Sequence, residues 1–109
     1  MNKLYQDKNQ KCEEKAISIV KKLKKDQYGD AFADIMTMLL EFPDFAEPHN
    51  LLGIWNELQG NYDLARKHYR AGYALNPAYS PVSNNLERLC MDYQDKNHEI
   101  DYGEKILKG

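Results

Sequence analysis

Lys67, His68, Tyr69 and Arg70 stand side by side within GNYDLARKHYRAGYALNP, residues 60–77. An imidazole, a phenol and two cations are the groups a general acid–base site would need. Consecutive residues on a helix point about 100° apart, however, so these four cannot converge on one substrate. Tyr69 falls on an apolar stripe with Tyr62, Ala65 and Tyr73, whereas Arg66, Lys67 and Arg70 fall on the opposite, solvated side with His68 at its edge. The other candidates are no stronger. His98-Glu99 lacks the second histidine of a zinc-protease helix, His49 stands alone, and no Ser/His/Asp or Cys/His set is suggested by local spacing. Cys12 and Cys90 belong to no CxxC pair and lack zinc-type histidine spacing, so both are expected to be free thiols. The residues that could do chemistry therefore predict no catalytic centre, no metal and no cofactor.

The elements that carry these residues repeat. At an offset of 34, Tyr28 matches Tyr62, Ala31 matches Ala65, Ile35 matches Tyr69, and Pro43 matches Pro77. The same offset relates Asn50 to Asn84 and Leu52 to Leu86. Each unit reads as two helices, because apolar residues recur at steps of three and four with punctuation between them. Gly60 and Asn61 break one helix pair, and Pro43 and Pro77 close the second helix of each unit. Asp44 with Glu47 is the spacing of a capping pair, and Ser80-Pro81 that of an N-cap followed by proline at the first helical position. The predicted class is all-α.

Leu52, Gly53, Tyr62, Ala65, Tyr69 and Pro77 fall in the order of a 34-residue motif with a Leu-Gly pair, an aromatic, a small residue, a second aromatic and a closing proline. In this the chain resembles the tetratricopeptide (TPR) repeat family, with Gly72 where the family usually has a second small alanine. The resemblance implies a right-handed α-solenoid of antiparallel helix pairs, with about three repeats over residues 11–45, 46–79 and 80–108 of a single domain. Ala16, Ile19, Val20 and Leu23 form the expected stripe of the first helix. Ile100, Gly103 and Leu107 reproduce the spacing of the last repeat's second helix, given roughly three extra residues near 93–97.

Packing explains most of the conspicuous residues. Ala31, Ala65, Gly53 and Gly72 are expected where helices cross closely, with Tyr62, Ala65, Tyr69 and Gly72 turned inward. The family usually has a large aromatic at the place of Asn56, and Trp55 stands one residue earlier. Trp55 is therefore expected to fill core volume and Asn56 to be partly exposed.

TPR arrays hold an extended or helical peptide on a concave face lined by the first helix of each repeat. In this register the groove residues are Ile17, Lys21 and Lys24, then Asn50, Ile54 and Glu57, then Asn84, Asn85 and Arg88. An Asn amide both donates and accepts, so it grips main chain without demanding a sequence. Lys21 and Arg88 would favour an acidic segment, with Ile54 an apolar contact between them. One TPR subclass clamps the C-terminal carboxylate of chaperones, but Leu51 and Asn85 replace an Asn and an Arg of that clamp, and the function is not carried over. The sequence thus predicts a non-catalytic protein-interaction module or scaffold. Self-assembly into a homo-oligomer through Ile100, Ile106 and Leu107 is the alternative, since a short array has open ends.

Composition fits a folded globular chain. Apolar residues make up 42% and charged residues 29% of the 109 residues, enough apolar surface for one core. No run approaches the roughly 20 apolar residues of a membrane span, and MNKLYQDKNQ lacks a signal peptide's hydrophobic segment, so a cytoplasmic protein off the membrane is expected. Residues 1–25 hold eight Lys against three acids, while residues 26–63 hold eight acids and no Lys or Arg. KKLKK, residues 21–25, is weak as a nucleic-acid site, because the whole chain is acidic and no aromatics interleave there.

Overall fold

The three-and-four spacing of apolar residues becomes five helices: α1 (Lys3–Lys24), α2 (Tyr28–Glu41), α3 (Ala46–Leu58), α4 (Tyr62–Leu75) and α5 (Ser80–Cys90). They come from a computed structural model that describes residues 3–90 and 99–104, with side chains from residue 7 onward. No strand occurs among the described residues.

The 34-residue period is present in the backbone itself. α1 and α3 end 34 residues apart, α2 and α4 have the same length at that offset, and α3 and α5 begin at that offset. The hydrogen bonds at the corners recur in register. Gln27 N–H donates to Lys22 O at 2.9 Å and Asn61 N–H to Asn56 O at 2.9 Å, each closing a helix end in the Schellman manner. That closure needs a left-handed residue, supplied by Asp26 (φ 60°) in one unit and Gly60 (φ 83°) in the next. At the far ends, Phe42 N–H bonds Met38 O at 2.8 Å and Asn76 N–H bonds Gly72 O at 3.0 Å. Pro43 and Pro77 follow directly, where neither chain can continue helical.

Neighbouring helices pack in chain order, and α3 also contacts both α1 and α5. α2 and α4 do not contact each other. The odd-numbered helices therefore form one layer.

The core runs through all five helices. Ala16, Ile19, Val20 and Leu23 are buried as the stripe predicts, and so are Ala31, Ile35, Ala65 and Tyr69. Each fully buried aliphatic or aromatic side chain contributes roughly 1.5–3 kcal/mol. The small residues answer to close approach. A Cβ on Gly53 would lie 2.4 Å from the Tyr69 ring, and one on Gly72 would lie 2.7 Å from Val82 Cγ1.

Several expectations are corrected. Asn56 is buried and donates to Leu52 O at 2.9 Å, whereas Trp55 is only half-buried, tilted against Phe32 with its indole N–H on Tyr28 O at 2.9 Å. The amide fits inside because it returns a hydrogen bond to its own helix, and the indole lies nearer the surface, where it ties α3 to α2. Tyr62 and Tyr73 remain 42% and 47% exposed, as amphipathic rings at the edge of an apolar stripe can be. Asp44 and Glu47 form no capping box: α3 starts at Ala46 after an extended Phe45 with no side-chain cap. Residues 99–102 are not helical, and Gly103 takes a left-handed φ of 81°, so Ile100 and Gly103 do not belong to a second helix. Leu107 and Ile106 lie outside the described residues.

Part of the uneven charge is paired within the chain. Lys15 pairs with Glu41 at 3.0 Å and Lys22 with Asp34 at 2.5 Å, joining basic α1 to acidic α2. Exposed pairs of this kind contribute only about 0–1 kcal/mol each.

Candidate functional site: an asparagine-lined face holding residue 101

Asn50 on α3 and Asn85 on α5 are both fully buried, in a place where an unpartnered amide would be costly. They satisfy each other and a third strand of chain. Asn85 Nδ2 donates to Asn50 Oδ1 at 2.8 Å and to Asp101 O at 2.9 Å, and Asn85 Oδ1 accepts from Asp101 N–H at 2.8 Å. Asn50 Nδ2 adds a second donor to Asp101 O at 3.2 Å. One side-chain amide thus pairs with both polar groups of a single peptide residue, as a neighbouring strand would. The identity of the side chain at residue 101 does not enter these bonds.

Side-chain contacts extend the grip from residue 101 to residue 104. Asn84 Nδ2 donates to Asp101 Oδ2 at 2.8 Å, and Asp101 Oδ1 accepts from Gly103 N–H at 2.9 Å, folding the segment into a turn. Lys24, at the end of α1, donates to Glu104 at 2.7 Å and lies 5.0 Å from the Tyr102 ring centroid. Gly103 is buried, and a Cβ there would meet Tyr79 Oη at 2.5 Å. Residues 101–104 therefore cross the layer of odd-numbered helices, tied to α1, α3 and α5.

A buried ion pair braces this face from below. Arg88 on α5 forks onto Glu57 on α3 at 2.5 and 2.7 Å, and Tyr69 on α4 donates its hydroxyl to Glu57 Oε1 at 2.8 Å. The two charged side chains expose only 14% and 8% of their surface. Arg88 also donates to Asn85 Oδ1 at 3.2 Å, coupling the pair to the amide cluster. Burial works against the guanidinium charge, but the Glu57 hydrogen bonds and negative charge outweigh it, and the Arg88 pKa is raised. Burial, then the Glu57 charge, drives the Tyr69 hydroxyl far above its usual range, so it stays a donor.

The nine groove residues named from sequence divide accordingly. Asn50, Glu57, Asn84, Asn85, Arg88 and Lys24 come together around residues 101–104. Lys21 is exposed on α1, and Ile17 is exposed near its middle, neither in contact with that cluster through a described bond. Ile54 is fully buried within the core, so it offers no surface to a partner. Asp101, Tyr102, Gly103 and Tyr79 were missed. The signal was present in the roughly three surplus residues that the last unit needed and in the turn-like Asp-Tyr-Gly run.

His49 on α3 stacks on His68 on α4 at 6.4 Å, and burial lowers the pKa of both. Cys12 is buried, which raises its thiol pKa, and Cys90 is exposed; both are free. No group of three metal-ligating side chains occurs among the described residues, and no helix among them is long and apolar enough to cross a membrane. No family model, curated protein or solved structure matches this chain.

Proposed function

We propose that the chain is a TPR-like right-handed solenoid of about three repeats and that it works as a non-catalytic interaction module, holding an extended partner segment on the face of α1, α3 and α5. The observation that carries this reading is the pairing of Asn85 with both backbone groups of Asp101, because it is a main-chain grip already engaged on a non-helical segment. The 34-residue recurrence of helix ends and corner hydrogen bonds supports the repeat, and the contacts among odd-numbered helices support the concave side. The partner is a protein or peptide, with an acidic segment favoured by Lys21 and Lys24. A cytoplasmic location belongs to the same proposal and accords with the free thiols Cys12 and Cys90.

A peptide array probed with the purified chain tests the proposal. Binding of extended acidic peptides is expected, with loss of affinity in Asn50→Ala/Asn84→Ala. Unchanged affinity in that variant would show that any binding occurs elsewhere. Self-assembly is weakened as a second reading because Ile100, one of its three residues, packs against the core of its own chain.

A further inference from the structure

We infer that residues 99–104 are a resident pseudo-ligand, and that the partner of this face is a segment of another protein with the order acid, aromatic, glycine, acid. The inference rests on the interaction-module reading above and specifies both its ligand and its regulation.

Each position of Asp101-Tyr102-Gly103-Glu104 meets a different complement on the helices. The first acid takes the Asn84 amide with one oxygen while its peptide groups take Asn50 and Asn85. The aromatic ring lies beside the Lys24 ammonium, where its π-face attracts a cation. The glycine is left-handed, a conformation that strains other residues, and a Cβ there would lie 2.5 Å from Tyr79 Oη, so the tyrosine would have to move. The second acid closes on Lys24. Main-chain bonds would accept any residue, but these four complements would not. They define a recognition pattern instead of a nonspecific hold.

The same contacts leave the face closed. Asn50 and Asn85 are fully buried, and the backbone bonds an incoming peptide would make are already made. A tethered segment competes at an effective concentration on the order of millimolar. An outside peptide therefore binds only during the fraction of time in which residues 99–104 have left, and its apparent dissociation constant rises in proportion.

The test uses a fluorescein-labelled, amidated peptide EIDYGE and the full-length chain in a polarization titration. Asp101→Pro removes the N–H that donates to Asn85 Oδ1, at a position outside the helices. That variant should bind the peptide at least about tenfold more tightly than the wild type. The peptide with valine in place of glycine should bind it at least about tenfold more weakly. An Asp101→Pro chain with wild-type helicity and no gain in affinity would overturn the proposal. If Asp101→Pro loses helicity, Tyr102→Ala takes its place, since it removes the ring beside Lys24 and keeps the backbone bonds; a gain is again required. Array peptides that bind wild type and variant alike, and lose affinity in Asn50→Ala/Asn84→Ala, would sink the pseudo-ligand while sparing the interaction-module reading. Absence of binding to any peptide by either protein would sink both.

Discussion

The side-chain amide of Asn85 pairs with Asp101 as one strand pairs with the next, accepting from its N–H at 2.8 Å and donating to its C=O at 2.9 Å. Asn85→Ala strands several buried partners together: Asn50 Oδ1 loses its donor, and Asp101 N–H and Arg88 each lose an acceptor. A loss of about 1–3 kcal/mol is expected, since a buried group left without a partner costs its full desolvation. Hydrogen exchange reads the effect locally: the Asp101 amide should lose protection while amides in the middle of α3 keep theirs. Equal loss at both places would mean that Asn85 supports the whole fold and not the crossing segment.

The Glu57–Arg88 pair should behave asymmetrically. Glu57→Leu leaves a guanidinium only 14% exposed without its counter-charge, and Arg88 Nε already lacks a partner among the described residues. Destabilisation of up to ~3–5 kcal/mol is expected in urea denaturation, whereas Glu57→Leu/Arg88→Met should recover most of it. Tyr69→Phe removes one hydroxyl donor to Glu57 and should cost only about 0.5–1.5 kcal/mol. A double variant no more stable than Glu57→Leu alone would contradict this account.

Three glycines give a graded test of close packing. Gly29 has nothing within 4 Å of the place a methyl group would occupy, so Gly29→Ala should stabilise by about 0.5–1 kcal/mol through helix propensity alone. Gly53→Ala drives a Cβ to within 2.4 Å of the Tyr69 ring and should instead cost about 1–3 kcal/mol. Gly72→Ala should fall between them, because Val82 must move to admit it. Ala65→Leu, at a fully buried position, should resemble Gly53→Ala. Thermal melts of the four variants give the order directly.

The stacked histidines set a pH dependence whose sign follows from burial. His49 and His68 have folded-state pKa values below the ordinary 6.5, so the unfolded chain binds protons first as pH falls. Their contribution is present above pH 6.5 and is lost as pH drops through the depressed folded values. The urea midpoint of the wild type should therefore fall between about pH 7.5 and 5, and His49→Gln/His68→Gln should flatten that fall. A double variant with the same slope would assign the pH dependence to other groups.

Periodicity made the helices legible, because a stripe such as Ala16, Ile19, Val20 and Leu23 can be buried in only one way. Packing constraints were legible too where a small residue stood at a crossing, as at Gly53. What sequence could not convey was which of two adjacent polar or aromatic residues goes inside. Trp55 and Asn56 exchanged their expected places because a hydrogen bond to Leu52 O makes an amide tolerable in the interior. Asn50 was found through its counterpart Asn84, yet the residue that meets it is Asn85, one position off the repeat. Local spacing also could not show that residues 99–104 return to α1, since the Lys24–Glu104 bond spans 80 positions.

That return changes the topology of folding. A stack of helix pairs joined only to its neighbours is a one-dimensional array, able to nucleate at any unit and to fray from either end. The bond between Lys24 and Glu104 ties the first helix to residue 104, but both side chains stay nearly half exposed and it adds only about 0–1 kcal/mol, so the buried amides of Asn50 and Asn85 hold the crossing more firmly. The loop so closed is long and its contacts are distant in sequence, so it is costly to close and should form after the helix pairs. Release of residue 101 from those amides would then be the step that frees the crossing segment from α3 and α5.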